Sequence, residues 1–289
     1  MWFQLKIEHC PVEDIEKLSE ELEELGALSL MLTDKNDNPV LEPEPGTTPL
    51  WPEVIIQALF SEAIQAQITR EHLAVNYPQL ALNLEILEDR DWERAWMDDF
   101  KPQRFGKRLW ICPTWSTPPE PEAVNLMLDP GLAFGTGTHP TTSLCLTWLE
   151  QADLKGKTVI DYGCGSGILS LAALKLGAEQ LYAVDIDQQA LQATQNNALT
   201  NNVDEHRLII EFPDELNQPV DLIIANILLA PLISLKERFQ RLLCPEGNLV
   251  VSGILQEQAT LLIDAYDSLF HLVKQEHLNG WSLLIFARK

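Results

Sequence analysis

The sequence of 289 residues predicts an α/β chain, with a doubly wound and mostly parallel sheet in its C-terminal part and a small α+β sandwich ahead of it. Three observations carry this expectation. From Lys157 onward apolar runs alternate with helical patterns, as they do in a parallel sheet covered on both faces. A Gly-x-Gly-x-Gly turn, Gly163-Cys164-Gly165-Ser166-Gly167, falls directly between a buried strand and a helix. Residues 1–88 read strand-helix-strand-strand-helix-strand, the order of a ferredoxin-like two-layer sandwich. The chain is also longer than the roughly 100 to 200 residues usual for one domain, in line with two.

In the first part, Trp2 to Glu8 alternates as a strand. Val12 to Leu25 places Ile15, Leu18, Leu22 and Leu25 at helical spacing until Gly26 stops the run. Ala27 to Thr33 is a second strand, and the apolar run Leu50 to Phe60 holds a third. Ser61 to Asn76 follows as a helix capped by Ser61, and Leu80 to Leu87 alternates as the last strand. The Pro-, Asp- and Glu-rich stretch Asn36 to Pro52 reads as a surface loop. Asp89 to Gly106 sets Trp92 and Trp96 four apart among charges, which predicts a linker helix over 89–106 whose aromatics either pack a domain junction or touch substrate. The expected domains are therefore 1–88, a linker at 89–106, and 107–289.

In the last of these, Leu109 to Pro113 and Ala123 to Leu128 are short strands around a Pro-rich loop, and a helix starts near Pro140, since proline suits the first helical position. Strands follow at Thr158 to Tyr162, Gln180 to Val184, Leu208 to Phe212, Leu222 to Ala225 and Asn248 to Ser252. Helical patterns lie between and after them at Ile168 to Leu176, Gln189 to Asn201, Leu228 to Leu243 and near Gln256 to Ser268. Phe270 to Glu276 and Trp281 to Ala287 are joined by Asn279-Gly280, a hairpin signal, so an antiparallel edge is expected on the parallel sheet.

Composition narrows the partners. The formal net charge is -23, and it is uneven: residues 1–100 hold 6 Lys and Arg against 22 Asp and Glu, a net of -16, and the rest hold 14 against 21, a net of -7. An acidic field of this kind repels phosphate backbones and attracts basic proteins, so direct nucleic-acid binding is not expected; the alternative is a solvated surface that only maintains solubility. No stretch reaches the roughly 18 apolar residues of a membrane span, and the N-terminus carries no basic cluster ahead of an apolar run. The expectation is a cytoplasmic monomer. The five cysteines are scattered and form no Cys-x-x-Cys pair, so free thiols and no metal site are expected.

Four constellations carry chemistry. Gly163, Gly165 and Gly167 follow the strand end that holds Asp161, and glycines there let the backbone come close to a ligand; the spacing is not the dinucleotide Gly-x-Gly-x-x-Gly. Asp185 ends the next strand, where a carboxylate accepts both ribose hydroxyls of a nucleoside or else merely caps the following helix. Asn226, in Ala225-Asn226-Ile227-Leu228, ends the fourth strand and either orients a ligand or caps a helix. The stretch resembles the Asn-Pro-Pro-Tyr motif of amino-methylating enzymes without its prolines and tyrosine. Finally, Leu128 to Thr142, with Phe134-Gly135-Thr136-Gly137-Thr138-His139, is a Gly- and Pro-rich loop opening into a helix.

Taken together, this loop, the glycine turn and Ala225-Asn226-Ile227 resemble the ribosomal protein L-eleven methyltransferase (PrmA) family. The resemblance runs from the strand at Trp2 through Asp91-Trp92-Glu93-Arg94 and Leu109-Trp110-Ile111-Cys112-Pro113 to the end of the chain. It implies a Rossmann-like class I S-adenosylmethionine methyltransferase domain and a ferredoxin-like domain that grips the ribosomal protein, with the catalytic domain able to swing on the linker. It implies trimethylation of lysine and N-terminal amines. Cofactor contacts then fall on Thr142, Gly163, Asp185 and Asn226, with Asp161, Gly165 and Gly167 in the same turn and Phe134, Gly135, Thr136 and Gly137 walling the methionine end. Asn226 is the candidate for orienting the amine. His139, in the cofactor loop, is either a base or a structural and gating residue.

Overall fold

The computed structural model describes residues 1–36, 50–87, 100–129 and 139–289, and the chain divides into two compact units, Met1–Ala95 and Trp96–Lys289. The first unit holds strands β1 (Trp2–Cys10), β2 (Ser29–Asp34), β3 (Val54–Phe60) and β4 (Ala81–Leu87) and helices α1 (Ile15–Glu24) and α2 (Ala63–Asn76). Its sheet runs β2-β3-β1-β4 with every neighbouring pair antiparallel, the ferredoxin-like order. Side chains alternate across it. Leu5 and Ile7 of β1 and Ile56, Ala58 and Phe60 of β3 are buried under Leu18 and Leu22 of α1 and Ala66 and Leu73 of α2. Gln4, Lys6 and Gln57, which fall between them, face the other way and are half-buried. The turn Val12–Asp14 is a 3-10 turn ahead of α1 rather than part of it. Ser61 does not cap α2: the capping position is Glu62, and no side chain bonds the helix start.

The second unit begins with a small sheet, β5 (Gln103–Phe105), β6 (Leu109–Cys112) and β7 (Val124–Met127), in which β5 and β6 are antiparallel and β6 and β7 parallel. The linker helix expected over 89–106 therefore does not reach its end. Residues 103–105 are strand because Gly106, at φ 63°, turns the chain straight back into β6. A Cβ on Gly106 would lie 2.1 Å from the buried carboxylate of Glu150 and would strain the positive φ, so glycine suits the turn best. Trp92 and Trp96 lie outside the described residues, as do Asp91 to Arg94.

The remaining elements are α3 (Pro140–Gln151), β8 (Thr158–Tyr162), α4 (Ile168–Lys175), β9 (Gln180–Val184), α5 (Gln188–Thr200), β10 (Leu208–Glu211), β11 (Val220–Asn226), α6 (Leu229–Ser234), α7 (Lys236–Leu242), β12 (Leu243–Leu255), α8 (Ala259–Tyr266), β13 (Phe270–Leu278) and β14 (Trp281–Arg288). The sheet order is β10-β9-β8-β11-β12-β14-β13. Its first five strands are parallel, and β14 enters antiparallel between β12 and β13. Asn279 at φ 48° and Gly280 at φ 81° make the tight hairpin that the Asn-Gly pair predicts. Two apolar cores cover the two faces. Leu144, Leu146, Leu149, Leu169, Leu171 and Ala172 pack on one, and Leu232, Phe239, Leu242, Leu262 and Tyr266 on the other.

The single helix expected over Leu228 to Leu243 is two. In a continuous helix the carbonyl of Leu232 would accept from the amide of residue 236. Here it accepts from the buried hydroxyl of Tyr266 at 2.8 Å, a partner contributed by α8. Among the described residues no helix is long and apolar enough to cross a membrane, and no cluster of side chains is suited to a metal. All five cysteines are free.

Candidate active site

From β8 the chain winds outward through β9 and β10, then returns to place β11 on the other side of β8. Open α/β sheets bind ligands at the carboxyl ends of the strands where the order reverses, and a cleft of about 340 Å³ lies there. Its walls include Thr142, Gly163, Gly165, Asp185, Ile186, Pro213, Asn226, Ile227 and Leu235. The sequence-predicted residues Thr142, Gly163, Gly165, Asp185 and Asn226 are thus brought together although they span 84 positions.

The turn after β8 is built by its glycines. Gly163, Gly165 and Gly167 have φ of 84°, 54° and 78°, a backbone region that side chains disfavour. The amides of Gly163 and Cys164 both donate to Val184 O, at 2.8 and 3.0 Å, which ties the turn to the end of β9. A Cβ on Gly163 would lie 2.4 Å from Ile227 Cγ2, and one on Gly167 would lie 2.8 Å from Thr194 Oγ1. Gly167 thus serves packing against α5 and does not line the cleft.

Asp185 does not cap α5; that role belongs to Asp187, whose carboxylate accepts from Gln189 N at 2.8 Å. Asp185 instead accepts from the amides of Gly165 and Asp187, each at 3.0 Å, one on each oxygen. Each oxygen keeps a lone pair for a further donor, which suits adjacent hydroxyls on a sugar. Ile186, 86% exposed, stands beside it as an apolar lip.

Asp161 stands behind the cleft and does not line it. Its Oδ2 accepts from the amide and the hydroxyl of Ser170, at 2.9 and 2.6 Å, bracing the first turn of α4 against β8. Burial, only partly offset by these bonds, raises its pKa from 3.8 to about 6, and Asp185 adds to the rise.

Asn226 is not a helix cap either: α6 is capped by Leu228, without a side-chain bond. Its Nδ2 donates to Thr142 Oγ1 at 3.4 Å, while its Oδ1 is buried with no partner among the described residues. A buried acceptor left open on the wall of a cleft is costly unless a ligand uses it.

His139 caps α3, accepting on Nδ1 from Thr141 N at 3.4 Å, and its ring meets Trp281 edge-on with centroids 4.7 Å apart. Among the described residues it is not one of those that line the cleft, and burial lowers its pKa. Phe134, Gly135, Thr136 and Gly137 lie outside the described residues. Ile186, Pro213 and Ile227 also line the cleft; of these only Ile186, an isoleucine directly after the strand-end Asp185, carries a signal in the sequence.

The family model described as ribosomal protein L11 methyltransferase (PrmA) matches residues 1–289, the whole chain. The chain belongs to the PrmA family. It is 71% identical over 289 residues to the ribosomal protein L11 methyltransferase of Legionella pneumophila (strain Philadelphia 1), covering 100% of both. It is 48% identical over 287 residues to that of Hahella chejuensis, covering 98% of this chain and 97% of that one. A crystal structure of the ribosomal protein L11 methylase from Lactobacillus delbrueckii subsp. bulgaricus superposes with a TM-score of 0.61 at 32% identity, covering 66% of this chain and 100% of that one. The chemistry of the PrmA family is methyl transfer, and the cleft fits a nucleoside methyl donor: Asp185 keeps acceptors free for sugar hydroxyls, Ile186 and Pro213 offer apolar surface to a flat base, and Asn226 Oδ1 is an open acceptor.

Proposed function

We propose that this chain uses S-adenosylmethionine to methylate amino groups of ribosomal protein L11, lysine side chains and the N-terminal amine, up to the trimethylated state, in the cytoplasm. The observation that carries the reading is the open Oδ1 of Asn226 on the wall of a cleft that also holds Asp185. Family membership supports the donor and the ribosomal substrate. The excess of acidic residues in the first 100 supports the N-terminal unit as the part that grips a basic protein.

When bound, S-adenosylmethionine supplies an electrophilic methyl group on a sulfonium. The protein's task is mainly alignment. Asp185 would hold the sugar, and the glycine turn lets the backbone approach the ligand closely. Asn226 Oδ1 accepts a hydrogen of the target amine and so directs its lone pair. A lysine, with a reference pKa of about 10.4, must first lose a proton. An apolar cleft lowers that value, and water can take the proton. His139 is placed to hold α3 rather than to act as a base.

Incubating the purified protein with S-adenosylmethionine and the purified ribosomal protein, then weighing the product by mass spectrometry, tests the reading. Mass increments of whole methyl groups at amines are expected, and unmodified substrate alongside tight cofactor binding would refute the substrate. Asn226→Ala should lower kcat by about 100-fold while cofactor affinity, read by calorimetry, changes by less than about threefold. Equal and modest losses in both would remove Asn226 from that role.

A further inference from the structure

The segment that carries Asn226 is also held from the β12 side. Asn226 pairs with Ser252 in the parallel β11/β12 ladder. Just beyond that pair, β12 departs from regular pairing with β14: Val251 faces Leu284 and Ile254 faces Ser282, so Ser252 and Gly253 together oppose Leu283 alone. This is a β-bulge, a device that re-aims the chain beside active sites. Gly253 has φ 85°. A Cβ there would lie 2.4 Å from Ile227 O, 2.8 Å from Ile227 C and 2.9 Å from Ile227 N.

Ile227 is therefore gripped on two sides. Its main chain fills the space a side chain on Gly253 would need, and its Cγ2 fills the space one on Gly163 would need. Of the neighbouring carbonyls, Leu228 O accepts from Leu232 N at 3.2 Å, and Ile227 O is turned toward Gly253. Asn226 Oδ1 is left as the buried, open acceptor of the segment.

We propose that Gly253 is a positioning residue for the target amine. By admitting the main chain of Ile227, the bulge turns that carbonyl inward and fixes the height and direction of Asn226 Oδ1 at the cleft. An amine aligned through one acceptor needs one N–H rather than two, so the arrangement serves a monomethylated amine as well as a primary one; a dimethylated amine has no N–H left to donate and is held by the walls of the cleft alone. The proposal rests on the amine-methylation reading above, and wild-type activity tests that reading separately.

Gly253→Ala tests it. Thermal unfolding reports whether the variant folds, and calorimetry without substrate reports cofactor affinity. With the ribosomal protein as substrate, kcat, KM and the mono-, di- and trimethyl product distribution are measured. The expected result is a kcat lowered by roughly 10- to 100-fold, with KM and cofactor affinity changed by less than about threefold, and a shift toward less methylated product. A wild-type kcat, or kcat and cofactor affinity falling in equal proportion, overturns the proposal. If Gly253→Ala does not fold, Ile227→Ala decides, since it releases the same segment on the Gly163 side without adding an atom. A kcat loss exceeding the loss of cofactor affinity supports the proposal, and an unchanged kcat overturns it.

Discussion

The two sheets of this molecule handle polar residues in opposite ways. In the first unit the helices cover one face of the sheet, and Gln4, Lys6 and Gln57 stand half-buried on the other face, between the buried apolar residues of β1 and β3. In the second unit both faces are covered, and β8, β9 and β11 are buried for almost their whole length. A polar residue at the tip of such a strand interrupts an otherwise buried apolar run. Asp161, Asp185 and Asn226 all stand at such tips, and each proves to have a specific partner or an open acceptor. The polar residues of the two-faced sheet can therefore be read one by one, whereas those of the one-faced sheet belong to a surface.

The largest expected effect breaks the two units apart. Leu22 is fully buried in the core of the first unit, and Leu22→Ala should cost about 2 to 5 kcal/mol of that unit's stability. Denaturant unfolding would measure this. Calorimetry should find cofactor affinity at the second unit's cleft unchanged within about twofold. A cofactor affinity that falls with the first unit's stability would show that the two are energetically one.

How much could be read in advance follows the same division. Strands, helices and the Asn279-Gly280 hairpin were legible because their signals are local: alternation, periodicity, a turn pair with both φ positive. Asp185 was legible because it interrupts an apolar run. The break between α6 and α7 was not, and the hydroxyl that Leu232 O accepts there belongs to Tyr266, 34 residues away in sequence. Nor was β5, which depends on the turn at Gly106 and on the buried carboxylate of Glu150 beside it. The close fit of Ile227 between two glycines is likewise a property of three separate segments.

The next effect sharpens the reading of the strand tips. Asp185→Ala removes an acceptor from two backbone amides and from the ligand's hydroxyls, so cofactor affinity should fall by roughly 30- to 100-fold, on the order of 2 to 3 kcal/mol. Calorimetry measures it, and a change below about threefold would deny Asp185 any ligand role. Asp161 should behave differently, as a group of the interior. Its pKa is raised from 3.8 to about 6, so the folded protein holds its proton more tightly than the unfolded chain does. Its stabilising contribution is complete below about pH 4 and is lost as the pH rises through about 6, with a total on the order of 3 kcal/mol. Asp161→Asn should flatten that decline in a series of thermal midpoints against pH; an unchanged decline would assign it to other groups.

His139 supplies the smallest effect and contrasts a polar residue that holds a helix end with those that line the cleft. Its ring caps α3 and rests on Trp281. A cap of this kind contributes about 0.5 to 1 kcal/mol. Burial lowers its pKa, so the unfolded chain takes up a proton at a higher pH than the folded protein does. The neutral ring's contribution is present above the usual histidine range and is lost on acidification through the folded-state value, where a protonated Nδ1 no longer accepts from Thr141. Serine is a favoured capping residue and has no imidazole. His139→Ser should therefore hold kcat within about threefold and change stability by less than about 1 kcal/mol, while weakening the acid-side loss of stability. A kcat lowered by 100-fold or more, on the order expected for a missing general base, would move His139 from the frame of α3 into the chemistry of the cleft.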